Sequence, residues 1–174
     1  MNDNIFESFE GWALSKIKKI RRILFILIIV LMILIFWFSS RNADESSNQS
    51  GLLLKIALDL TPELKKVDTS TLELFLRKGA HMFEYFVLCI LSVTYILTFG
   101  KARKNRKWLL MALLVCLFYA STDEFHQRFV PGRWGCVTDV CVDLTGATIG
   151  FLLYMLMLRI YGLYRNGLIV GEID

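Results

Sequence analysis

The sequence predicts an all-α fold: a polytopic membrane bundle of four transmembrane helices, with a long first outer loop that contains an interfacial helix. Three observations carry that prediction. Hydrophobic residues make up 55% of the 174 and the mean hydropathy is +0.51, too apolar for a water-soluble chain of one-domain length. The apolar residues gather into long runs instead of recurring at core spacing. Much of the Lys and Arg complement stands in two dense blocks beside those runs, so the net charge of +4 is a topology signal and not a nucleic-acid footprint.

In chain order, residues 1–22 form an amphipathic, basic N-terminal segment, residues 23–160 the membrane domain and residues 161–174 a tail. Ile5, Phe6, Phe9, Trp12, Ala13, Ile17 and Ile20 fall near one helical stripe, and Lys16, Lys18, Lys19, Arg21 and Arg22 follow it. That pattern predicts a short helix lying on the cytoplasmic leaflet. Ile23 to Phe38 is an unbroken apolar run closed by Phe36, Trp37 and Phe38, which reads as a first span and a signal anchor.

Ser39 to Lys78 carries six basic and six acidic residues and so has no net sign. Within it Gly51 to Leu60 is too short and too charged to span, and reads as the interfacial helix or as a plug in a groove. Ser70 and Glu73 stand at capping-box spacing, and a helix starting there runs to Phe99 as the second span. The block Gly100–Lys107 separates it from a third span, which starts at Trp108 and reaches full length only by continuing through Asp123 and Glu124. Pro131-Gly132 marks a turn, and Val137 to Leu158 is the fourth span. Both basic blocks belong on the cytoplasmic side, which puts both termini there and turns Ser39–Lys78 and the Pro131 turn outward.

The chemistry is concentrated at one end of three spans. Arg77, His81 and Glu84 stand at i, i+4, i+7 with Lys78 beside them. Asp123 pairs with Gln127 at i, i+4 and Glu124 with Gln127 at i, i+3. Asp139, Asp143, Gly146 and Gly150 form one stripe, in which the glycines permit close helix contact. Arg128 and Arg133 add positive charge near the turn. Exposing such groups to hydrocarbon costs at least ~2.5–3.5 kcal/mol each, so they are expected to face inward and form a polar pocket. A scaffold of ion pairs is the plainer alternative. The number of groups, with a histidine and a Pro-Gly-Arg turn, favours a pocket for a polar ligand, in which Arg77 and Arg133 suit a phosphate or carboxylate.

No metal or other cofactor is expected. His81, Glu84 and the aspartates have metal-ligand chemistry, but no HExxH or comparable spacing is present and the neighbouring cations oppose a metal ion. No catalytic residue can be named, because no serine, threonine or cysteine stands in a nucleophile motif. His126 reads as an exposed loop histidine. Cys89 and Cys116 read as small core residues, and Cys136 and Cys141, if they share a helix, point to different faces of it, so no disulfide is expected.

At these residues the chain resembles the VanZ-like family of bacterial membrane proteins. The resemblance runs through Phe38-Ser39-Ser40, Arg77-Lys78-Gly79-Ala80-His81 with Glu84-Tyr85, Asp123-Glu124 with Gln127, Pro131-Gly132-Arg133, and Asp139 with Asp143 and Gly146. It covers roughly Phe36 to Tyr154 and departs only at Gly79 and Cys136. It implies a small multi-pass protein of the bacterial cell membrane. The family's founding member is associated with resistance to teicoplanin-type glycopeptides. No reaction or catalytic residue comes with the family.

Three functions compete on this reading. An outward pocket binds an anionic lipid headgroup or a lipid-linked cell-envelope precursor and so lowers susceptibility to lipid-anchored antibiotics. Alternatively, a membrane enzyme modifies a lipid headgroup by acid–base chemistry at His81, Glu84, Asp123 or Asp139. Or the protein is a small transporter or scramblase, which would need a homo-oligomer because four spans make a narrow bundle. Membrane lipids are the expected partners in each case, and nucleic acid in none.

Overall fold

The computed structural model describes residues 3–41, 51, 54–56, 58–61, 68–100, 102, 105–133 and 135–165. Helices α1 (Asp3–Ser39), α2 (Thr69–Leu97), α3 (Leu110–Gln127) and α4 (Val137–Arg165) form the bundle, and a 3-10 turn at Arg106–Leu109 leads into α3. Each holds a stretch long and apolar enough to cross a membrane: Leu14–Ser39, Thr69–Leu97, Lys107–Gln127 and Val137–Leu163. The chain is a four-span helical membrane bundle. Between α1 and α2, residues 54–56 and 58–60 are helical, which supplies a helical segment in the long first loop. The Ser-rich residues 42–50, the cations Lys101, Arg103 and Lys104, and the tail beyond Arg165 lie outside the described residues, as does the side-chain stripe expected from Ile5 to Ala13.

Helix α1 runs unbroken for 37 residues, about 55 Å at 1.5 Å per residue. That exceeds a hydrocarbon core of about 30 Å, so the helix reaches past it. Arg21 marks where its basic part meets the bundle. The guanidinium donates to Thr98 Oγ1 at 3.0 Å and Thr98 O at 2.8 Å, and lies 3.9 Å over the Phe99 ring. A cation here satisfies a carbonyl at the end of α2 and meets the negative end of its dipole.

Helix α2 starts one residue before the predicted serine. Its N-cap is Asp68, whose carboxylate accepts the Thr71 N–H at 3.1 Å and the Ser70 hydroxyl. This corrects the expected Ser70–Glu73 box: Ser70 is already inside the helix and serves the cap. The Ser70 hydroxyl and then the Thr71 amide hold the Asp68 carboxyl below its ordinary value.

The most extensive interface joins α2 to α4, with α3 against α4 and α1 against α2. Ala112, Cys116 and Ala120 recur every four residues as a buried stripe on α3, and Tyr85, Leu88, Cys89 and Val93 fill the facing side of α2. Small residues let helices approach closely where lipid removes any hydrophobic drive to associate. Large apolar side chains instead cover the outside, with Phe83, Phe118, Leu152 and Met157 all exposed to the surroundings. Gly146 lets α2 and α4 approach closely, because a Cβ there would overlap the Met82 carbonyl. One turn on, a Cβ at Gly150 would stand 2.8 Å from the Phe86 carbonyl oxygen. All four cysteines are free thiols; Cys89 and Cys116 are buried, whereas Cys136 and Cys141 are exposed.

Candidate functional site

Three helix ends and one turn converge on a cavity of about 150 Å³. Helix α2 contributes Arg77, Lys78 and His81, helix α3 contributes Glu124 and Gln127, the turn contributes Gly132 and Arg133, and α4 contributes Asp139, Val142 and Asp143. Each side chain is positioned by a local cause. Residues 77, 78 and 81 stand on the third and fourth turns of α2, on the side that lines the cavity. The α3 helix extends to Gln127 before the chain turns, which carries Glu124 and Gln127 to the bundle end. Gly132 has φ of 74°, a conformation that favours glycine, and it turns the chain so that Arg133 reaches back.

Arg133 spans from this turn to the end of α1. Its Nε donates to Arg41 O at 2.9 Å and its Nη2 to Phe38 O at 3.3 Å. Partial burial, and then the facing Arg77 guanidinium, weigh against its charge and lower its pKa; Asp123 and Glu124 act in the opposite direction. Arg77 is exposed and, among the described residues, makes no ion pair or hydrogen bond. Lys78 donates to Asp139 Oδ1 at 2.6 Å in a pair about one-third exposed, which contributes little stability but fixes α2 against α4 in register.

The acids fall into satisfied and unsatisfied groups. Glu124 accepts Gln127 Nε2 at 3.1 Å on one oxygen and the Cys136 backbone N–H at 3.0 Å on the other. A carboxylate from α3 thus serves a free amide just ahead of α4, at the positive end of that helix. Gly135 makes this possible, since a Cβ there would collide with the Glu124 backbone carbonyl. Asp123 Oδ2 accepts the Ser39 hydroxyl at 2.8 Å and Gln127 Nε2 at 3.2 Å, tying the end of α1 to α3. Buried oxygens without a hydrogen-bond partner remain on Glu84, Asp123 and Asp143, together with His81 Nδ1. Each costs free energy unless something donates to it.

Of the ten pocket residues read from sequence, Arg77, Lys78, His81, Glu124, Gln127, Arg133, Asp139 and Asp143 line the cavity. Asp123 is buried behind it in the Ser39–Gln127 network, and Glu84 stands a turn beyond His81, with its Oε2 3.7 Å from His81 Nδ1. His126 is not in a loop: it occupies the last turn of α3, half-buried with its ring 4.5 Å from that of Phe36. The α3 helix runs on to Gln127 before the turn and so takes in His126. Sequence reasoning missed Ser39 as a buried partner and the α1 carbonyls as partners of Arg133. The available signals were a serine directly after an aromatic run and its place in the Phe38-Ser39-Ser40 stretch of the family resemblance. Among the described residues no group of three His, Cys, Asp or Glu is placed to hold a metal ion.

A model of the VanZ/LLP1 family matches residues 24–158 of the chain. No curated protein and no solved structure matches it. The matched region takes in the second and third spans whole, most of the first and fourth, and every residue around the cavity, and on that coverage the chain belongs to the VanZ/LLP1 family.

Proposed function

We propose that the cavity is an outward-facing receptor for the phosphate of a membrane lipid headgroup or of a lipid-linked cell-envelope precursor. One observation carries the reading: Arg77 and Arg133 face the same small cavity, repel each other, and neither is ion-paired among the described residues. Like charges held together are relieved by an anion between them, and guanidinium groups match phosphate by paired hydrogen bonds. A space of 150 Å³ is about five water volumes at ~30 Å³ each. It suits a phosphate and a small substituent and is too small for the sugar-peptide of a wall precursor, which would stay outside. Sequestering that group at the outer surface would change what a lipid-anchored glycopeptide meets there, and so lower susceptibility to drugs of the teicoplanin type.

Arg77→Ala tests the reading cleanly, because the side chain is exposed and its loss breaks no internal bond. Phospholipid retained on the purified protein should fall about tenfold, as expected for one charged hydrogen bond of about 1.5–3 kcal/mol. Unchanged retention and unchanged teicoplanin susceptibility, in correctly inserted protein, would end the proposal.

The outward orientation has its own test in Cys136. This thiol is exposed beside the cavity turn, and the Thr138 hydroxyl donates to it at 3.1 Å and lowers its pKa, which raises the reactive thiolate fraction. A membrane-impermeant maleimide added to intact cells carrying Cys141→Ser, which removes the other exposed thiol, should label Cys136, while buried Cys89 and Cys116 stay unmodified. Labelling only after permeabilisation would turn the site to the cell interior.

A further inference from the structure

The cavity is not uniformly cationic. Against Arg77, Lys78 and Arg133 stand Glu124, Asp139 and Asp143, so the charged groups lining it nearly cancel. A simple anion complements only half of that arrangement. Among the acids, Glu124 accepts on both oxygens and Asp139 is held by Lys78. Asp143 differs. It is 2% exposed and lines the cavity, yet its Oδ2 has no hydrogen-bond partner. A buried carboxylate oxygen needs a donor, and a phosphate cannot supply one.

Resting on the phosphate reading above, we infer that the ligand is zwitterionic: a phosphate ester bearing a primary ammonium group, with phosphate at Arg77 and Arg133 and ammonium at Asp143. The Asp143 side chain sits one helical turn beyond Asp139 along α4, so the amine end enters first and the phosphate stays near the exposed Arg77. A phosphoethanolamine-sized group fits a volume of about five waters. The three-donor ammonium satisfies the orphaned oxygen, and the dipole of the guest runs along the dipole of the site.

Native mass spectrometry of the full chain in detergent tests this, with short-chain phosphatidylethanolamine and phosphatidylglycerol of identical acyl chains as probes. The wild type should prefer the ethanolamine lipid about tenfold, the consequence of one charge-assisted hydrogen bond. Asp143→Asn keeps the shape and removes the charge, and should bring the two lipids to within about twofold while glycerol-lipid binding persists. Phosphatidylcholine provides a check that needs no variant: its quaternary ammonium has no N–H to donate, so it should bind the wild type no better than phosphatidylglycerol. Equal binding of the ethanolamine and glycerol lipids by the wild type, or a preference that survives Asp143→Asn, would overturn the inference and leave the phosphate reading standing. Binding of none of these lipids would instead sink the phosphate reading itself. Soluble phosphoethanolamine identifies the source: displacement of the lipid at equal concentration points to a free solute, and failure to displace points to the headgroup in the bilayer.

Discussion

Gly146→Ala is expected to destabilise the bundle by about 1–3 kcal/mol, against the usual gain from replacing a helical glycine by alanine. The sign is decided by what the new methyl meets. At Gly146 it is the Met82 carbonyl, a backbone atom of α2 that cannot rotate away. The two helices must separate, and they form the most extensive interface in the protein. Separation also pulls Lys78 from Asp139 and moves both walls of the cavity, so ligand binding should fall with stability. Gly79 supplies the control, since nothing lies within 4 Å of a Cβ placed there. Gly79→Ala should leave the protein unchanged or more stable by up to about 1 kcal/mol. Unfolding of both variants in bicelles, followed by near-ultraviolet signal, separates the cases. If the two alanines behaved alike, the α2–α4 contact would not be the close approach described.

That contact shows how far the sequence could be read. The stripe Asp139, Asp143, Gly146, Gly150 follows from helical periodicity alone, and so does the pairing of Gln127 with Asp123 and Glu124. Positions within one helix are related by a fixed rotation, so their shared face is legible. The rotation of one helix against the next is not. Cys116 and Phe118 are both apolar, yet Cys116 is fully buried and Phe118 is 73% exposed. In a water-soluble bundle the outward position would carry a polar residue and hydropathy would tell the two faces apart; in lipid, the outside is as apolar as the core, and only residue size hints at which side packs.

The same limit hid the partners of the site residues. Lys78 with Asp139, Ser39 with Asp123, and Glu124 with the Cys136 amide are contacts between elements, and no spacing encodes them. The ends of helices were better signalled than their caps. The first span ends within a residue of the aromatic run, while Asp68, and not Ser70, caps α2. Polar residues near a membrane-helix end carry two signals at once, local capping and tertiary pairing. The sequence does not say which of them a given side chain obeys.

Arg133→Ala should have the other large effect, because Arg133 serves two purposes and Arg77 shares only the second. It closes the carbonyls of Phe38 and Arg41 at the end of α1, and it forms one cationic wall of the cavity. Helix α1 touches α3 only sparsely, and the Ser39–Asp123 bond with Arg133 holds this end of it. Losing the guanidinium should cost about 1.5–3 kcal/mol from the charged hydrogen bond to Arg41 O, and the α1 end should fray. Amide exchange reports it directly, since the Ser40 and Arg41 N–H groups are bonded back to Phe36 O and Phe38 O and should lose protection. Phospholipid binding should fall in the same variant by at least as much as in Arg77→Ala. Arg133→Lys separates the roles: it keeps the positive charge but replaces a two-pronged donor by a point charge. Its binding should weaken by about tenfold while its salt dependence stays close to the wild type, because salt dependence follows the number of charges. Arg77→Ala, by contrast, should lower binding without any change in exchange at Ser40 and Arg41. Full protection of those amides in Arg133→Ala would mean that the turn does not hold α1, and that the cavity wall it forms is set by something else.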